Sequence, residues 1–198
     1  MHHQNHRLKD HPEVRPNHPT HAAADARVNS ALVRATEHIA QGRYERALTL
    51  LESAGRDLEV RNARGVCLLR LRRPAAAIGV LRDVALQAGC TWVRKDVPIC
   101  YAANYATALL LGGHPAGCLE ILGEVDSRHP SVQRLRSAIR NWEATLTWWQ
   151  RLNWKFGRVE PDNRPVALDF LPGEFPHEVT CGDRPVGGKP DVPPQTAA

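Results

Sequence analysis

The stretch Ala35-Thr36-Glu37-His38-Ile39-Ala40-Gln41-Gly42-Arg43-Tyr44-Glu45-Arg46-Ala47, with Leu51 and Ala54 after it, recurs in outline twice more. The second copy runs from Gly65 through Arg72-Arg73-Pro74-Ala75-Ala76-Ala77 to Leu81 and Val84. The third runs from Ala106 through Gly113-His114-Pro115-Ala116-Gly117-Cys118 to Leu122, Val125 and Pro130. In each copy a small residue precedes a second small residue by 12 positions, an apolar residue follows four later, and another apolar or small residue three after that.

This spacing predicts helix pairs. Ala35, Gly65 and Ala106 allow a first helix to approach a second one carrying Ala47, Ala77 and Cys118, and the second helix buries the residues that follow at i, i+3 spacing. Gly-x-Tyr, Arg-x-Pro and Gly-x-Pro mark the turns, because Gly ends a helix readily and Pro starts one. A lone pair cannot bury both faces, so neighbouring pairs must stack.

The pattern resembles the tetratricopeptide repeat family over about residues 28–130, with Gly42-x-Tyr44-x-x-Ala47, Gly65 and Pro130 as its best matches. The copies are spaced 30 and then 41 residues apart, the latter through an insertion at 89–96, and no copy has a large aromatic early in its first helix. The resemblance implies an all-α, helical-hairpin solenoid whose first helices line a concave groove. In that register the groove presents Asn29, Leu32, Thr36 and Ile39, then Glu59, Asn62, Val66 and Leu69, then Ala103, Thr107 and Leu110. Some members grip a peptide's terminal carboxylate. At the matching places stand Leu32, Thr36, Ala63, Cys100 and Asn104, and four of these five cannot supply such a clamp. An extended or helical segment with apolar anchors is the better expectation for the ligand.

Beyond Pro130, the residues Val132, Leu135, Ile139, Trp142, Leu146, Trp149 and Phe156 fall three and four apart or at multiples of that spacing. We read one long capping helix over 131–156, covering the open end of the stack. Residues 128–158 hold seven Lys/Arg against one Glu, and at 100° per residue Arg136, Arg140, Arg151 and Lys155 share one sector. Trp148 and Trp154 lie off the apolar stripe beside them. A solvated face, a protein interface, and an anionic membrane or nucleic-acid surface all fit such a face.

The flanks differ in composition. Six of the ten histidines lie in the first 21 residues, and residues 1–25 show no apolar periodicity, so a disordered arm is expected. His2, His3, His6, His11, His18 and His21 offer imidazoles without fixed geometry, and metal binding there is read as incidental. Residues 158–198 form a Pro/Gly-rich tail, with eight prolines and four glycines between 161 and 198. Within it Val166, Leu168 and Phe170 alternate before Pro172-Gly173. An extended apolar segment like this suits docking on the chain's own helices, on Trp148 and Trp149, or recognition by another protein.

The 198 residues are 42% hydrophobic with a net charge of +5, which permits an anionic partner without requiring one. No apolar run approaches the ~20 residues of a spanning helix, and the start lacks a signal-peptide core. Five unclustered cysteines suit a reducing cytoplasm, with Cys67, Cys100 and Cys118 expected as core thiols and Cys181 exposed. The sequence has no phosphate loop, G-x-S-x-G, H-E-x-x-H or calcium loop. The expectation is a cytoplasmic, non-enzymatic adaptor without cofactor or small-molecule substrate, its partner a protein or peptide segment. The alternative is a membrane-surface or nucleic-acid-associated protein using the basic tryptophan helix.

Overall fold

The computed structural model describes residues 21–161 and 164–175, with side chains from residue 28 on other than that of Asn29. Of the arm expected over 1–25, residues 1–20 lie outside these residues, as do Cys181 and the end of the tail, while 21–25 belong to the first helix. Eight helices are present among them: α1 His21–Ala40, α2 Tyr44–Glu52, α3 Leu58–Arg70, α4 Pro74–Ala85, α5 Ile99–Leu111, α6 Pro115–Gly123, α7 Pro130–Thr145 and α8 Trp148–Gly157. The fold is all-α.

The three turns inside the repeated segments are built alike. Gly42, Arg72 and Gly113 take positive φ of 71°, 56° and 86°. In each, two backbone N–H groups turn back onto the end of the first helix. Gly42 and Arg43 donate to the carbonyls of Ile39 and His38, Arg72 and Arg73 to those of Leu69 and Leu68, and Gly113 and His114 to those of Leu110 and Leu109. These bonds satisfy carbonyls that a helix end leaves orphaned. Pro74 and Pro115 then start α4 and α6, where a missing N–H costs nothing.

The small residues sit at close helix approaches. Ala35, Ala47, Gly65, Ala77, Ala106 and Cys118 are all buried. A Cβ added at Gly65 would stand 2.4 Å from Leu81 Cδ2, so α3 and α4 meet at a distance that only glycine allows. Each of the first six helices packs on the next, and α1, α3, α5 and α7 also contact one another in succession. The odd-numbered helices therefore form an inner layer and α2, α4 and α6 an outer one. The 89–96 insertion lies between α4 and α5. It is fixed by an antiparallel bridge of Leu86 with Val93 and by the Val93 N–H donating to Glu124 Oε2 at 2.9 Å.

The long last helix expected over 131–156 is two helices. Leu146 takes φ −72°, ψ 143° and Thr147 φ −61°, ψ 159°, both extended. Thr147 starts α8 with a capping box: its Oγ1 accepts from the Gln150 N–H, and its own N–H donates to Gln150 Oε1 at 3.1 Å. The break resets the helical phase. Trp154, expected off the apolar stripe, is fully buried edge-on against Trp142, with ring centroids 5.2 Å apart. Trp149 and Phe156, expected on the stripe, are 57% and 84% exposed.

Candidate functional site

The inner layer forms a surface on which one extended segment of the same chain lies. Residues 164–175 run back from α7 towards α3 as a strap. At its start the Trp142 indole N–H donates to the Arg164 carbonyl at 2.8 Å, and Val166 is buried. Beside this crossing is an open cleft of about 310 Å³, lined among others by Leu110, Trp142, Glu160 and Arg164. Leu168 and Phe170 pack on the core while Ala167 and Asp169 are exposed, the alternation expected from the sequence. The Arg134 guanidinium sits 5.5 Å from the Phe170 ring centroid.

The grip is closest at Pro172-Gly173-Glu174-Phe175. Asn104 clamps the backbone of Glu174 at both groups: its Oδ1 accepts from the Glu174 N–H at 2.8 Å, and its Nδ2 donates to the Glu174 carbonyl at 2.8 Å. Asn62 Oδ1 accepts a further bond from Asn104 Nδ2 at 2.9 Å, which fixes the orientation of that amide. Arg70 donates to the carbonyls of Gly173 and Pro172 at 3.1 and 3.4 Å. Its guanidinium also stands 5.3 Å from the Phe175 ring and 5.6 Å from the Tyr44 ring, within cation–π range. The Glu174 carboxylate pairs with Arg134 and accepts from Ser131 Oγ. Gly173 has φ +82° and rests on Val66, whose Cγ1 would lie 2.9 Å from a Cβ there.

This is recognition of an extended backbone by side chains on three helices. The buried amides meet donor and acceptor needs that apolar neighbours cannot, so both position and direction of the segment are specified. Of the eleven groove residues expected from the sequence, Val66, Ala103 and Thr107 lie directly under the strap, Leu110 lines the cleft at its start, and Asn62 acts through Asn104. Leu69 and Ile39 are buried in the core, Leu32 is half-buried and Glu59 is exposed. Thr36 is exposed and donates to its own helix at the Leu32 carbonyl. The side chain of Asn29 is outside the described residues.

Sequence reasoning missed Arg70, Ser131 and Arg134. From the sequence, Asn104 is only the one clamp position with a suitable side chain. The signal available for it was an amide within the apolar run Cys100-Tyr101-Ala102-Ala103-Asn104-Tyr105-Ala106, where a polar group needs a partner. The strap does not cover Trp148 and Trp149, the docking place expected for it, because that pair lies on α8 beyond the break.

The basic and aromatic residues are also redistributed. Their common sector required a continuous helix; α7 instead carries Arg136 and Arg140, and α8 carries Trp148, Arg151, Trp154 and Lys155. Arg136 donates to the Leu122 carbonyl, and Arg151 donates to the carbonyls of Glu143, Ala144 and Leu146 at the end of α7. The indole N–H of buried Trp154 donates to Glu143 Oε1 at 2.6 Å. Trp148, Arg140, Arg151 and Lys155 face solvent.

Cys67, Cys100 and Cys118 are buried, and burial pushes their thiols up to about 12, 11 and 12. Neutral thiols at such positions are packing residues rather than nucleophiles. Among the described residues no group of three or more His, Cys, Asp or Glu side chains is placed to hold a metal ion, and no helix is long and apolar enough to cross a membrane. No protein-family model, curated protein or solved structure matches this chain.

Proposed function

We propose that this chain is a non-enzymatic, cytoplasmic adaptor, a tetratricopeptide-like helical-hairpin solenoid whose inner face holds an extended peptide of a partner protein. The turn built three times over and the layering of odd and even helices support the architecture. The observation that carries the function is the two-sided backbone clamp of Asn104 on Glu174, flanked by Arg70 on carbonyls and by Arg134 and Ser131 on a carboxylate. Such a surface reads apolar-Pro-Gly-acid-aromatic chemistry, and the strap stands where a partner segment of that kind would lie.

The test uses full-length protein in which Gly173→Val and Glu174→Lys together release the strap. A labelled peptide of residues 164–176 should bind the released protein at least about tenfold more tightly than the wild type, a difference of ~1.4 kcal/mol. Asn104→Ala in the same background should remove that gain. Partners captured by the released protein should be displaced by the unlabelled peptide. A folded released variant that ignores the peptide, or a captured set unchanged by Asn104→Ala, refutes the reading.

A further inference from the structure

Five of the eight exposed large hydrophobic side chains among the described residues fall between positions 148 and 159: Trp148, Trp149, Leu152, Phe156 and Val159. At 100° per residue Trp148, Leu152, Phe156 and Trp149 span about 100° of α8, on the side away from buried Trp154. The two exposed indoles lie against each other, with ring centroids 4.5 Å apart. Lys155 and Arg151 border this stripe, Arg158 follows at the C-cap, and α8 contains no acidic residue. The capping box, Arg151 on the end of α7 and Trp154 against Trp142 fix how the helix is presented.

The strap does not supply the cover, since its contacts lie on the inner layer. A second copy is disfavoured by charge. Face-to-face pairing of α8 would bring Arg151, Lys155 and Arg158 of both copies together with no carboxylate on the helix to offset them. An exposed helix with tryptophans and phenylalanine outward and a cation beside them matches an interfacial helix resting in the headgroup region.

We propose that α8 is a docking element for an anionic lipid surface, its two exposed indoles and Phe156 entering the interface while Lys155 lies at headgroup level. Ten residues are too few to span a bilayer, so the association is peripheral. This places a membrane contact on the end of the molecule opposite in chain order to α1, independent of what the inner face holds.

The experiment is co-sedimentation of the full chain with phosphatidylcholine vesicles, with and without about one-third phosphatidylglycerol, read together with tryptophan emission. The wild type should bind the anionic vesicles with a blue-shifted emission, lose binding as salt rises, and leave the neutral vesicles unbound. Trp148→Ser with Trp149→Ser and Phe156→Ser should lower partitioning at least about tenfold. Should that variant melt lower, the exposed substitution Lys155→Glu provides the second arm, with an expected severalfold loss. Wild-type protein that ignores anionic vesicles, or binds both kinds equally, overturns the proposal. So do variants that bind as the wild type does. A triple variant that changes the oligomeric state in light scattering while the wild type leaves vesicles unbound assigns the face to protein contact instead, and overturns it too.

Discussion

Gly173→Ala tests how the inner face holds the strap. Gly173 has φ +82°, and an added Cβ would lie 2.9 and 3.1 Å from the Val66 methyls and 3.3 Å from its Cα. Placing an L-residue in the left-handed region costs about 1–2 kcal/mol. Overpacking against a buried valine on a helix costs about 1–3 kcal/mol, and the Val66 backbone cannot retreat without moving α3. The docked state therefore loses roughly 2–5 kcal/mol, about thirty- to several thousandfold in the docking equilibrium. The whole domain need not bear that loss, because the strap can leave. Global destabilisation is then capped at the free energy of strap docking, while local opening rises by the full factor. Hydrogen exchange at the Glu174 amide, which donates to Asn104 Oδ1 in the docked state, reads this directly. Exchange there should accelerate at least about thirtyfold while the amides of α3 and α5 change little. An unchanged Glu174 amide in the folded variant would refute the reasoning, and equal acceleration throughout α3 and α5 would show that strap and domain open as one unit.

Other expectations concern the frame. Gly79, exposed in α4 with nothing within 4 Å of its Cβ direction, should accept alanine with a gain of about 0.5–1 kcal/mol. Gly65→Ala should instead lose at least about 1–3 kcal/mol, because the new methyl meets Leu81; denaturant melts of the two variants check the pair. Arg72 holds at φ 56° the turn position that Gly42 and Gly113 fill in the other copies. Arg72→Gly should relieve about 1 kcal/mol of strain, partly offset by a freer unfolded chain, so the melting temperature should rise slightly and not fall. In native alkylation followed by peptide mapping, exposed Cys90 should react while Cys67, Cys100 and Cys118 stay unmodified until the protein unfolds.

What the sequence made legible was local. The turns at 42, 72 and 113 and the small residues 12 positions apart act through neighbours within one hairpin, so their spacing survives in the one-dimensional pattern. The end of α7 did not show itself, because apolar residues keep a helical period across Leu146. The competing signal was Thr147 with Gln150 three residues on, a short polar motif outvoted by a long apolar one. Trp154 and Phe156 exchanged places as a consequence. The strap was half legible. Alternation and proline brackets gave an extended, docking segment, but its seat depends on Asn62, Arg70, Asn104 and Arg134. These lie on three helices and meet only after the inner layer has assembled.

The strap also sets terms for any partner. It enters the inner face at Arg164, seven residues after α8 ends at Gly157, so its local concentration on the groove is of the order of millimolar or higher. A separate peptide with the same intrinsic affinity and present at micromolar levels would lose that competition by about a thousandfold, near 4 kcal/mol. An effective partner must therefore add contacts that the strap does not make. Exposed Thr36 and half-buried Leu32 on α1 lie farther along the inner layer from where the strap grips α5 and α7. In the proposed adaptor, a partner segment anchored there and extending towards Val66 would gain apolar contacts before it met Phe175 and Glu174. For the proposed adaptor the groove would divide between a strap-held end, where Asn104 and Arg134 would set specificity, and a first-hairpin end, where added affinity would have to come from. Leu32→Asp should weaken an outside ligand while leaving exchange at the Glu174 amide untouched, and a fall in strap protection in that variant would mean the two ends are not separable.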